Sequence, residues 1–234
     1  MENLSKTLLQ LAKGNDEYAV FNKKIVNTKK TILGVRMPDL RKLAKKTATN
    51  MKFSDVSDFL KKADKNVYEE VLMSGFLINY SKLSDKEQIK LICKYLKYAD
   101  SWALIDCFTK RYKKFDGNLH WDFAVECLAS KKEFEVRYGI IFMMSNFLNK
   151  EHVGSVFKEL RKIKHPGYYV KIAVAWLFAT AAVKFYKETL AELKNQVSDK
   201  WTYNKSLQKM LESYRFTDRQ KAEIKKMKKT NRGG

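Results

Sequence analysis

Residues 133–148 read EFEVRYGIIFMMSNFL, and residues 167–183 read GYYVKIAVAWLFATAAV. Neither stretch alternates apolar and polar residues as a half-buried strand would. Wound at 3.6 residues per turn, each is apolar nearly all the way round, the pattern of a helix enclosed by neighbours. Two such helices define the middle of a helical structure. More amphipathic, Lys-rich helices such as KEQIKLICKYLKYA (residues 86–99) are then expected to cover them.

The rest of the chain continues in the same manner. Helices are predicted over 3–13, 16–27, 38–48, 53–63, 66–80, 84–98, 101–113, 118–130, 133–148, 150–163, 167–185, 187–196, 200–213 and 217–229. Pro38 suits the first turn of a helix running DLRKLAKK, because its missing N–H would be unpaired there anyway. Ser84 and Glu87 have the spacing of a capping box, and Thr217 and Asp218 open the last helix. With only 9 Gly and 2 Pro, the chain lacks the turn residues of an all-β fold and the Gly-rich turns of a doubly wound one. Paired helices recurring about every 35–45 residues without exact self-similarity predict an all-α fold, a degenerate α-solenoid. A plain helical bundle has the same composition and stays open at this point. A single domain is expected over 1–218, with a basic arm over 219–234 in which Arg219, Lys221, Lys225, Lys226, Lys228, Lys229 and Arg232 face only Glu223.

Composition narrows the function. The chain has 234 residues, 45% of them hydrophobic, with 14 Phe, 12 Tyr and 4 Trp, enough for a substantial core. It carries 47 Lys+Arg against 26 Asp+Glu, a net charge of +21. A field of that size attracts polyanions, nucleic acid first and anionic membrane second. The most apolar run, Ile172 to Val183, is well short of the ~20 residues that span a bilayer. MENLSKTLLQLAKGNDEY bears acids and has no continuous apolar region, so no targeting segment is expected. Cys93, Cys107 and Cys127 lack CxxC spacing, and with only His120, His152 and His165 beside them they give a metal site no support. The expectation is a cytoplasmic monomer without cofactor or metal.

One constellation stands apart. Taken at 100° per residue from Ser101, Leu104, Ile105, Phe108 and Tyr112 share a core face. Trp102 and Asp106, four apart, lie together about a third of a turn away, near Thr109 and Lys110. A packed indole and a lysine-paired carboxylate would explain them, and so would a site. Arg137 shares its face with Ile141, Met144 and Leu148. A guanidinium there needs a partner: a carboxylate such as Asp106, a carbonyl, or a DNA phosphate. Trp176 has only Lys171, Thr180 and Lys184 as nearby polar residues, and core and site both remain open for it.

The blocks LGVRMPDLRKLAKK, SWALIDCF, EVRYGIIFMM, YYVKIAVAWLFA and TYNKSLQKMLESYR run in order from about residue 20 to 215. Together they resemble the successive blocks of the AlkD-like DNA alkylation repair family. The resemblance implies a curved solenoid of HEAT-like helical repeats whose basic concave face cradles duplex DNA. It implies a glycosylase that excises cationic N3- and N7-alkylated purines in base excision repair. Matched block by block, the family's site falls on Trp102, Asp106, Arg137 and Trp176. The implied roles are a carboxylate facing the oxocarbenium-like sugar (Asp106), two tryptophans bracketing the lesion (Trp102 and Trp176), and a phosphate contact (Arg137). Lys110, Lys171, Lys205, Lys209 and Arg215 are the further expected DNA contacts. Phe21 and Ala179 stand about where a member of that family has a tyrosine and an arginine. A non-catalytic HEAT-repeat module for damaged or branched DNA fits the same charge. A protein-binding scaffold would not require it.

Overall fold

Each of the fourteen predicted spans contains a helix in the structure, a computed structural model that describes residues 2–196 and 199–230. In chain order these are α1 (Glu2–Ala12), α2 (Asp16–Val26), α3 (Met37–Ala48), α4 (Phe53–Lys62), α5 (Tyr68–Tyr80), α6 (Asp85–Leu96), α7 (Trp102–Asp106), α8 (Gly117–Leu128), α9 (Glu133–Asn146), α10 (Val153–Arg161), α11 (Tyr168–Ala181), α12 (Tyr186–Gln196), α13 (Lys200–Glu212) and α14 (Asp218–Thr230). No strand occurs among the described residues; Thr31 and Val67 form an isolated bridge. The fold is all-α. No helix among the described residues is long and apolar enough to cross a membrane. The chain divides into two compact units, Met1–Phe123 and Ala124–Gly234.

In the first unit α5 is the enclosed helix, packed against α3, α4 and α6. Every residue from Val71 to Asn79 is buried. Its sequence, YEEVLMSGFLINY, has the same all-round apolar character as residues 133–148, and for the same reason. Gly75 lets α5 approach closely: a Cβ there would come within 2.9 Å of Phe108 and 3.0 Å of Tyr95. Glu69 is buried too, which is costly for a carboxylate unless it is saturated with donors. It accepts the backbone N–H groups of Leu33 at 2.9 Å, Gly34 at 2.8 Å and Val35 at 3.3 Å. Those three residues begin the LGVRM block, so one acid on α5 shapes the loop that leads into α3. Gly34 adopts φ 100°, a left-handed conformation that glycine takes without steric cost. Pro38 occupies the first turn of α3. The capping box at α6 is formed, and the Ser84 side chain, with its backbone N–H, holds the Glu87 carboxyl below its ordinary pKa.

In the second unit α11 packs between α9 and α13, and α13 packs on α14. Within each unit, alternate helices of the chain stack on one another, the packing of helical repeats. From Val136 to Met143 α9 is buried throughout. At Gly139 it presses on α8, where a Cβ would stand 2.9 Å from the Ala124 carbonyl oxygen. Asp199 caps α13 by accepting the Thr202 N–H at 3.2 Å and the Thr202 hydroxyl. Partial burial works to raise the Asp199 carboxyl, but the Thr202 hydrogen bonds and Lys171 at 3.4 Å outweigh it and hold the group below its ordinary pKa. The segment expected as a basic arm is helical as far as Thr230, with Ile224 and Met227 buried. Residues 231–234 of that segment, Arg232 included, lie outside the described residues.

Candidate functional site

Five residues make too short a helix to persist on its own hydrogen bonds. The helix α7 is held from outside. At its start the Ser101 hydroxyl, itself fully buried, accepts the Leu104 N–H at 3.5 Å. At its end the carbonyl groups are taken one by one. Tyr95 donates its hydroxyl to the Leu104 carbonyl at 2.8 Å, and Thr109 donates to Ile105 at 2.8 Å. Arg41 donates to the Cys107 carbonyl at 2.9 Å, and Asn79 to that of Phe108 at 2.6 Å. Ala103, Leu104 and Ile105 are buried beneath. The predicted helix over 101–113 therefore stops at Asp106. The cause is tertiary: donors from α3, α5 and α6 satisfy carbonyls that a continuing helix would have used itself.

Trp102 and Asp106 are the first and last residues of α7, and both are half-buried. The indole N–H of Trp102 donates to the Ile25 carbonyl at 3.1 Å, which fixes the ring. Just before α7, Asp100 accepts the Thr28 hydroxyl at 2.7 Å and the Lys29 N–H at 3.0 Å, tying the segment to the loop after α2. Asp106 also helps to raise the Cys107 thiol, a shift caused first by burial and opposed by Arg41. Lys110 is turned inward. Its ammonium donates to the Asn79 carbonyl and lies 4.7 Å from the centre of the Tyr112 ring, and burial lowers its pKa. Phe21, on α2, is exposed.

The second unit holds the other residues singled out in the sequence. Arg137 is only 3% exposed, and it donates to the Tyr169 carbonyl at 2.7 Å. That carbonyl lies in the first turn of α11, so the guanidinium braces α9 against it. Trp176 is 37% exposed on α11, so it is not a core tryptophan. Ala179, one turn on, is buried. Lys171 pairs with Asp199. Lys205 and Lys209 are half-exposed on α13, and Arg215 is exposed in the turn after it. Sequence reasoning missed Arg41, Asn79 and Tyr95. They lie on other helices, and nothing in the local pattern of residues 99–108 announces them.

Residues 6–209 match the family of DNA alkylation repair enzymes. No curated protein matches the chain. The chain belongs to the DNA alkylation repair enzyme family, which gives it a role in DNA alkylation repair and DNA as its partner.

Proposed function

We propose that the protein is a DNA glycosylase that excises cationic N3- and N7-alkylpurines from duplex DNA in base excision repair. The observation that carries this reading is α7: a half-buried carboxylate and an anchored indole, four residues apart, on a helix capped at its start by the buried Ser101 hydroxyl and held at its end by donors from Tyr95 and Arg41.

The chemistry needs little else. An alkylated purine of this class already bears a positive charge, so it departs without protonation. The glycosidic bond breaks heterolytically, and its electron pair leaves with the base, which becomes neutral. Positive charge develops on the sugar, where a fixed carboxylate lowers the barrier. Asp106 has that role. It also orients the water that adds to the sugar carbon, and that water's proton passes to the carboxylate or to solvent. The products are the free base and an abasic site. Trp102 and Trp176 contact the lesion and its sugar through their faces, which attract electron-poor rings. Arg137 contributes to the grip on the neighbouring phosphate, with Lys171, Lys205, Lys209 and Arg215 as further strand contacts. Lys110 takes part by leaving the Asn79 carbonyl for the strand.

The experiment is base release from duplex DNA carrying N7-methylguanine or N3-methyladenine. Release by the wild type supports the reading. Tight binding of the same duplex with no detectable release assigns the protein instead to a non-catalytic DNA-binding role on damaged or branched DNA.

A further inference from the structure

Four rings run across the beginnings of α9, α11 and α13. Phe134 and Tyr169 have centroids 5.5 Å apart, Tyr169 and Tyr168 5.3 Å, and Tyr168 and Trp201 5.7 Å. The last two are open to solvent: Tyr168 is 58% exposed and Trp201 40%. Exposed large aromatics scattered singly are ordinary, but two in edge-to-face contact form a surface. Beside Trp201 lies a recess of about 460 Å³ lined by Lys200, Trp201, Asn204, Lys205, Gln208 and Lys228. Its charged groups are all basic. Lys205 is steered by a 3.3 Å hydrogen bond to Gln208, which in turn donates to Glu212 at 2.7 Å.

We propose that Tyr168 and Trp201, with Lys200, Lys205 and Lys228, form a stacking platform for an unpaired stretch of DNA strand. Inside a duplex both faces of a base are covered by its neighbours, so an aromatic ring can stack only on a base that has been unstacked. Exposed rings bordered by ammonium groups match an unpaired strand on both counts: the rings take base faces, and the lysines take phosphates. An apolar protein partner would leave the lysines unmatched. The platform rests on the DNA partner that family membership gives, and not on the excision chemistry. It would let the protein hold a gap, a frayed end or a locally opened site in addition to intact duplex.

The test uses the full chain and unmodified oligonucleotides, so its outcome does not depend on whether any base is excised. Affinities are measured by fluorescence anisotropy for a single strand and for the duplex of the same sequence, and each variant's melting temperature is recorded. Trp201→Ala is expected to weaken single-strand binding about 5- to 150-fold, the range for removal of one base stack. Tyr168→Ala should weaken it in the same direction, and Trp201→Phe should restore most of the affinity. Duplex affinity should change much less. Tyr214→Ala removes a fully exposed tyrosine outside the platform and should leave single-strand binding as in the wild type. The proposal is overturned if Trp201→Ala and Tyr168→Ala bind the single strand like the wild type, if they weaken duplex binding equally, or if Tyr214→Ala weakens single-strand binding as much. It is also overturned if an acidic peptide binds the wild type as tightly as the strand does and needs Trp201.

Discussion

At the scale of single residues, charge and position separate into different roles. Asp106→Asn keeps the size of the side chain and removes its negative charge. Under the proposed chemistry the charge matters when the glycosidic bond lengthens, so single-turnover excision should slow by about 100- to 1000-fold, the usual cost of one preorganised electrostatic interaction. Ground-state affinity should hold or rise slightly, because a carboxylate repels phosphate. Equal rates for mutant and wild type would remove Asp106 from the catalytic role. Arg137 behaves differently because it is buried and bonded to the Tyr169 carbonyl. Arg137→Ala opens a void and breaks the brace between α9 and α11, so the melting temperature should fall along with DNA affinity. A variant that melts like the wild type while binding DNA more weakly would give the residue a phosphate role alone. The i, i+4 pairing of Trp102 with Asp106 was legible in the sequence because helical geometry fixes which side chains share a face. The contact of Arg137 with the Tyr169 carbonyl was not, since three kinds of acceptor suited the same guanidinium and the carbonyl comes from another helix.

At the scale of elements, the short helix α7 and the close approaches at glycine carry the consequences. The Asn79 side chain donates to the Phe108 carbonyl, 29 residues away in the chain. Asn79→Ala removes a donor from that buried carbonyl, a loss that typically costs about 1–3 kcal/mol. Asn79 is itself buried. Under the proposed chemistry it is a positioning residue, so kcat should fall with Asp106 displaced while affinity for unmodified duplex stays. Asn79→Asp, which lacks the donor, should not restore it. At Gly139 the close approach of α9 to the Ala124 carbonyl makes Gly139→Ala an overpacking change, with a destabilisation of about 1–3 kcal/mol in urea unfolding. A neutral result there would mean that α8 can shift away. At α13, Asp199→Ala removes the cap and should cost about 0.5–2 kcal/mol. The native carboxyl is held below its unfolded value, so its contribution is present above the unfolded pKa and is lost as pH falls through the folded one. The stability difference between wild type and Asp199→Ala should therefore shrink on acidification below about pH 4, the ordinary carboxylate range. Helix existence was legible from periodicity, and caps such as Ser84–Glu87 from spacing. The early end of α7 was not, because it is imposed by side chains of α3, α5 and α6. The enclosed helix α5 had the same apolar signature as α9 and α11, in the run VLMSGFLI.

At the scale of the whole molecule, the excess of 47 basic over 26 acidic residues is the property most plainly written in the sequence, and it sets how the protein meets DNA. Each phosphate neutralised by a lysine or arginine releases condensed counterion, so the logarithm of the affinity falls by about 0.9 per neutralised phosphate for each tenfold rise in salt. Binding to undamaged duplex should therefore weaken steeply with ionic strength and depend little on base sequence. The helix α14 allows this to be tested without disturbing the fold. Ile224 and Met227 are buried on it, whereas Arg219, Lys225 and Lys226 are exposed. Truncating before Lys225 would remove Met227 and confuse the effect of charge with that of packing. Replacing Arg219, Lys225 and Lys226 together with Gln keeps the packing and removes three positive charges. If these groups reach the strand, the salt slope should become shallower by about 0.9 for each phosphate no longer neutralised, with the melting temperature unchanged. If they only add to the distant field, affinity at low salt should drop slightly while the slope stays the same, because a charge more than about 10 Å from phosphate is screened at 0.1 M salt. The slope rather than the affinity decides between the two, since only direct neutralisation changes the number of ions released.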